Sequence, residues 1–176
     1  MTQLALSAIG HDRPGIVAEV TRALLGHSLN ITDSHMAVLG GHFTMMLIVT
    51  APEGTDFDAV REELARTREA LGLDALSLSP LRDADPEAAV APSQIVTVYG
   101  VDHPGIVHAV TARLAARDVN VTDLETRLVG DDLYAMVIEV ALPADVDPRA
   151  LTAMLEEVGA EQGVEVTVRP LEPDVM

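Results

Sequence analysis

The sequence predicts an α+β protein of two ferredoxin-like βαββαβ units, each an antiparallel sheet carrying both of its helices on one face. Two observations lead there. Segments of strand-like and helix-like hydrophobic period follow one another in the order strand, helix, strand, strand, helix, strand. That order is then repeated: Gly10-His11-Asp12-Arg13-Pro14-Gly15-Ile16-Val17 returns as Gly100-Val101-Asp102-His103-Pro104-Gly105-Ile106-Val107, an offset of 90 residues. Ser79-Pro80-Leu81 and Arg169-Pro170-Leu171 keep the same spacing near the other end, so the copies are expected to stay in register throughout.

In the first copy Leu4, Leu6 and Ala8 alternate with Ala5, Ser7 and Ile9, which marks a strand ending at Gly10. Asp12 stands where it could cap the next helix by accepting from the amide of Gly15, and Pro14 where a missing N–H does no harm. Ile16, Val20, Ala23 and Leu24 set an apolar helical stripe ending near Gly26 and His27. Asn30 to Val38 reads as a strand, Gly40-Gly41 as a tight hairpin, and Phe43 to Thr50 as a strand apolar enough for the middle of a sheet. Phe57, Val60, Leu64 and Leu71 outline the second helix, and Ala75 to Leu81 the last strand.

The plan restarts with a strand from Ile95 to Gly100 and a helix marked by Ile106, Val110 and Leu114. Asn120 opens a strand, Gly130-Asp131-Asp132 turns it, and Leu133 to Leu142 returns. Leu151, Met154, Leu155 and Val158 mark a helix, and Val166 and Val168 the closing strand. The expected organisation is a first domain over 1–81, a linker over 82–93, a second domain over 94–171 and a short tail over 172–176. Met45-Met46 and Met154 are expected to fill the core.

Composition narrows function. Net charge is -17 and aromatics are 2%, so direct nucleic-acid binding, which needs cationic surface and stacking platforms, is not expected. With Cys 0 there is no disulfide framework and no thiolate chemistry. Neither a membrane span nor a secretory signal is read from the sequence, and a cytoplasmic location is expected. His103 and His108 are five apart and no histidine spacing suits a metal, so neither metal nor cofactor is expected. No nucleophile elbow, phosphate loop or catalytic cluster is present in the sequence, so no catalytic residue is named and no enzyme is expected.

Through the turn Asp12-Arg13-Pro14-Gly15-Ile16-Val17, and through Asn30-Ile31-Thr32-Asp33 opening the next strand, each copy resembles an ACT domain. A tandem pair without an attached catalytic domain is most similar to the glycine cleavage system transcriptional repressor group of stand-alone ACT regulators. The resemblance implies a ligand between two side-by-side domains, touched by the first loop of one and the second strand or loop of its neighbour. The corresponding candidates are Gly10, Asp12, Gly15, Ile16 and Asn30, then Gly100, Asp102, Gly105, Ile106 and Asn120. It implies a small-molecule ligand, an amino acid such as glycine or serine, a protein partner, and a homo-oligomer, taken to be a dimer.

The residues themselves suit such a ligand. Amides at a helix N-terminus favour its carboxylate, the Asp12 carboxylate its ammonium, and the Asn30 amide offers both donor and acceptor. Each also has a purely structural reading: Asp12 and Asp102 as caps, Gly15 and Gly105 as close-packing residues, Asn30 and Asn120 as left-handed turn residues, and Thr32 and Thr122 as plain strand formers. The competing function is a ligand-independent, protein-binding adaptor. The copies differ where His11 and Arg13 become Val101 and His103, and where Gly41-His42 becomes Asp131-Asp132, so the two sites need not be equivalent.

Overall fold

The computed structural model describes residues 1–81, 91–130 and 132–171. The chain divides into two compact units, Met1–Ala84 and Asp85–Met176. The first contains β1 (Thr2–His11), α1 (Ile16–Gly26), β2 (Asn30–Leu39), β3 (His42–Ala51), α2 (Phe57–Leu71) and β4 (Ala75–Pro80). The second contains β5 (Gln94–Val101), α3 (Ile106–Ala115), β6 (Asn120–Val129), β7 (Leu133–Ala141), α4 (Pro148–Gln162) and β8 (Val164–Pro170). The expected tail and residues 82–90 of the expected linker lie outside the described residues. Ser93, also placed in the linker by sequence, is bonded into the second sheet: its amide donates to Val140 O at 2.8 Å and its carbonyl accepts from Leu171 N at 3.0 Å.

Each sheet is antiparallel, in the order β2-β3-β1-β4 and β6-β7-β5-β8. In the first unit Leu4, Leu6 and Ala8 of β1 and Phe43, Met45, Leu47 and Val49 of β3 point inward by the two-residue period of a strand. Helix α1 covers them with Ile16, Val20, Ala23 and Leu24, and α2 with Val60 and Leu64. The second unit repeats the layer, with Val96, Val98, Met136, Ile138 and Val140 under Ile106, Val110, Leu114, Leu151 and Leu155. The apolar run of β3 therefore has an interior place in the sheet but only one covered face. Met45 is 5% exposed, whereas its neighbour Met46, expected in the core, is 55% exposed on the open face.

The copies do not stay in register throughout. Asp56 caps α2 and Asp147 caps α4, an offset of 91; Gly72 and Gly163 end those helices at the same 91; Pro80 and Pro170 return to 90. The extra residue lies in the hairpin, where Gly40-Gly41 joins β2 to β3 but residues 130–132 join β6 to β7. It is taken back between α4 and β8, since β8 starts directly after Gly163. By strand pairing His42 thus corresponds to Leu133, because His11 faces His42 and Val101 faces Leu133.

Two further expectations are corrected at the start of β2 and β6. The left-handed residues are Ser28 at φ 59 and Asp118 at φ 54, which leaves Asn30 and Asn120 in ordinary strand pairing. Thr32 and Thr122 are the extra residues of β-bulges, lying between Ile31 and Asp33 and between Val121 and Asp123. Their hydroxyls donate to Ile48 O at 3.2 Å and Glu139 O at 3.1 Å.

Gly10 and Gly100 are the close-packing glycines. A Cβ on Gly10 would stand 2.8 Å from Leu73 Cδ2 and 3.2 Å from Leu73 Cα; on Gly100 it would stand 2.6 Å from Val164 Cγ1 and 2.9 Å from Val164 Cβ. Gly100→Ala is expected to destabilise the second unit by about 1–3 kcal/mol, the usual cost of overpacking, and by more than Gly10→Ala destabilises the first. Leu73 can swing the end of its side chain away, whereas Val164 offers a branched carbon. Urea unfolding followed by far-UV circular dichroism measures both.

Candidate functional site

The loop from Asp12 to Gly15 leaves β1 and enters α1. Asp12 N donates to Gly41 O at 3.0 Å, and Asp102 N to Asp132 O at 3.1 Å, so in both units the loop is tied to the tip of the neighbouring hairpin. Gly15 is the N-cap of α1 at φ 96, and Gly105 that of α3 at φ 108. A side chain at either position would be strained, though a Cβ on Gly15 would meet nothing within 4 Å. Conformation rather than close packing thus requires glycine at Gly15 and Gly105.

Neither Asp12 nor Asp102 caps its helix, contrary to the capping reading: α1 and α3 have no side-chain cap. The second helices differ. The Asp56 carboxylate accepts from Asp58 N and Ala59 N, both at 3.1 Å, and that of Asp147 from Arg149 N at 3.0 Å. The first-turn amides of α1 and α3 are therefore without the partner that their counterparts have. The side chains of Asp12 and Asp102 make no hydrogen bond among the described residues.

In the first unit Asp12, Arg13, Gly15, Ile16, Met36 and Phe43 border an open cavity of about 630 Å3. Val17 and Met36 continue it into a smaller hollow with Thr21, Ile31 and Met45. Thr21 and Ile31 lead on to a third, of about 490 Å3, which reaches Leu25 and Asn30. Together these make one groove between α1 and the edge strand β2. The structure brings Asp12, Gly15 and Ile16 together at one end. Asn30 is at the other, paired with Thr50 at the start of β2, so a single unit does not unite Asn30 with the loop. Ile16 and Ile106 are 1% and 2% exposed and serve as core anchors. Gly10 and Gly100 are the packing positions described above.

Sequence reasoning missed Val17, Met36 and Phe43 as groove residues, and it missed what Arg13 and His103 do. The Arg13 guanidinium donates to the last carbonyls of α2, Leu71 O and, at 3.4 Å, Ala70 O. His103 Nε2 lies 2.8 Å from Gln162 O, at the end of α4, and Nδ1 lies 3.2 Å from Pro104 O. Leu71 and Gln162 are the same position once the offset of 91 is applied. One loop-to-helix clamp is thus made by an arginine in one unit and a histidine in the other. Two residues able to donate to carbonyls at matching repeat positions were the available signal.

Two carbonyls at one imidazole favour a proton on each nitrogen. The His103 pKa is accordingly held above the ordinary 6.5, first by Gln162 O and then by Pro104 O; desolvation opposes this and the Asp102 charge supports it. Among the described residues no group of three or more His, Cys, Asp or Glu is placed to hold a metal. None of their helices is long and apolar enough to cross a membrane.

Two antiparallel βαββαβ units, each with an uncapped first helix beside a carboxylate that makes no hydrogen bond among the described residues, define a tandem of small α+β modules. Residues 2–76 and 94–169 both match the ACT domain family, and the chain belongs to it. The glycine cleavage system transcriptional repressor of Escherichia coli strain K12 is 30% identical over 125 residues, covering 70% of this chain and 64% of that protein. The match thus spans slightly less than two thirds of the repressor. A UPF0237 protein of Methanopyrus kandleri is 39% identical over 77 residues, covering 43% of this chain and 86% of its own. A solved structure of a protein of unknown function from Galdieria sulphuraria superposes with TM-score 0.76 at 30% identity, covering 97% of this chain and 99% of that one.

The His103 clamp has a pH signature. Because folding raises the His103 pKa, its contribution is fully present below 6.5 and is lost as pH rises through the folded value. The unfolding midpoint of the second unit is expected to fall over that window. His103→Arg should flatten the profile, and Arg13→His should introduce the same slope into the first unit. Urea midpoints measured across pH, with imidazole resonances followed by NMR, check all three.

Proposed function

We propose that the chain is a regulatory protein, not an enzyme, that senses a small molecule at the loop opening the first helix of its ACT units. The ligand is an amino acid, glycine or serine in the first instance. The observation that carries this reading is the contrast between helices of one fold. The second helices are closed by aspartate caps, whereas the first helices begin at a left-handed glycine with free amides and a nearby unbonded carboxylate. An amino acid supplies what both halves lack: a carboxylate for amides at the positive end of a helix, and an ammonium for Asp12 or Asp102. The groove running from Asp12 along α1 has room for a small side chain.

The output passes through a protein partner. A chain of net charge -17 is repelled by nucleic acid, and similarity to a transcriptional repressor extends to control of amino-acid metabolism only through such an intermediary. A ligand that favours one arrangement of the units over another would change what the partner meets.

Isothermal titration with a panel of amino acids tests the reading, and saturable binding of at least one is expected. Asp12→Ala with Asp102→Ala should weaken it by about tenfold or more, since a hydrogen bond to a charged group contributes about 1.5–3 kcal/mol. If no amino acid binds, and a co-purifying partner persists after Asp12→Ala with Asn30→Ala, the adaptor reading replaces this one.

A further inference from the structure

Each four-stranded sheet carries its helices on one face, and on the other face both units expose apolar side chains but differ in charge. In the first unit the outward positions are the odd residues 3–11 of β1, 33–39 of β2 and 75–79 of β4, and the even residues 42–50 of β3. Asp33 is the only Asp, Glu, Arg or Lys among them. At the corresponding places on the second sheet stand Asp123, Glu125, Arg127, Glu139, Glu165 and Arg169. The backbone is the same, and charged residues make up 22% of the chain, so a nearly uncharged face of this extent is the exception.

What replaces charge is uncharged and mostly small: His35, Ala37, Ile48, Ala75 and Ser79 stand where the second sheet has Glu125, Arg127, Glu139, Glu165 and Arg169. Exposed apolar side chains lie beside them, Ile9 at 45%, Met46 at 55% and Leu39 at 67%, while His11 and His42 stack at the hairpin end with ring centroids 4.9 Å apart. Ala5 and Ser7 run through the centre, with the Ser7 hydroxyl bonded sideways to that of Ser77 at 2.8 Å. An antiparallel sheet that faces water on one side ordinarily carries polar and charged residues there, as the second unit does. We propose that the outward face of the first sheet is the surface through which two copies of this chain associate, each presenting the same face to the other.

Charge selects this occupant. Two chains of -17 repel one another, and of the two outward sheet faces the first is the one on which they can approach with fewer like charges opposed. A face without a charge pattern gives a foreign partner little to orient by, whereas two identical patches take their orientation from a two-fold axis. The small central side chains let two sheets approach to the ordinary separation of about 10 Å, with Met46 and Ile9 filling the space between.

Light scattering coupled to gel filtration, run as a concentration series, tests the proposal on the full chain. The expected particle has twice the 18.7 kDa chain mass. Met46→Glu should raise the dissociation constant at least about tenfold, since like charges set against each other at an interface cost several kcal/mol. Val137→Glu, at the corresponding outward place on β7, should leave the dimer intact. Ser7→Glu lies opposite Met46 on β1 and should act as Met46→Glu does, with circular dichroism confirming that each variant folds. A wild type monomeric throughout, a Met46→Glu and Ser7→Glu pair that stay dimeric, or equal disruption by Val137→Glu would each overturn it. A monomer whose face is covered by another protein falls under the first of these.

Discussion

The burial of a single sheet face beneath two helices is the constraint from which the rest of each unit follows. It requires alternation along β1 and β3, sets Ile16 and Ile106 as the first turns' anchors in the core, and draws the strand after α2 or α4 close against the first strand. That close approach leaves no room for a side chain at Gly10 or Gly100. The loop that follows is consequently held at its base by packing, at Asp12 or Asp102 by the hairpin tip, and at Arg13 or His103 by the far helix. A loop held at three places in this way is pre-organised, which is what the proposed binding would draw on.

Within that frame the two kinds of helix start stand out. Closing a helix with an aspartate satisfies its amides internally, and α2 and α4 are closed in this way. The glycine starts of α1 and α3 forgo that gain at the same place in both units. The cost is small, roughly a few tenths of a kcal/mol where glycine stands at the cap, and what remains is a pair of helix ends suited to an anion with an acidic residue alongside.

Much of this was legible in the residues, because periodicity and turn chemistry report directly on local structure. The alternation of Leu4, Leu6 and Ala8, the stripe from Ile16 to Leu24, and Gly40-Gly41 each name their element. What the sequence concealed was tertiary or concerned register. Asp12 has the composition of a cap, but the chain enters α1 through a left-handed Gly15, which leaves its side chain without a capping contact. Asn30 and Asn120 have the composition of left-handed residues, yet Ser28 and Asp118 take that conformation two positions earlier. Met46 belongs to an unbroken apolar run, and only strand pairing reveals that every second residue of the run faces outward. Arg13 and His103 share a role that depends on a helix end nearly sixty residues away in sequence.

The one-residue insertion between β6 and β7 and its recovery after α4 carry a further consequence. Strand β3 with helix α2, and strand β7 with helix α4, behave as cassettes displaced by one residue relative to everything around them. Each cassette keeps its own pairing with its central strand, and the chain regains common register only beyond Gly72 and Gly163. Recombination between the halves therefore has natural seams at the hairpin tips and just after those two glycines. A crossover inside a cassette keeps the strand in register only at the offset of 91; made at 90 it would shift one strand by a residue and turn its buried side chains out of the core. The repeat is better regarded as two interlocking segments per unit than as one indivisible block.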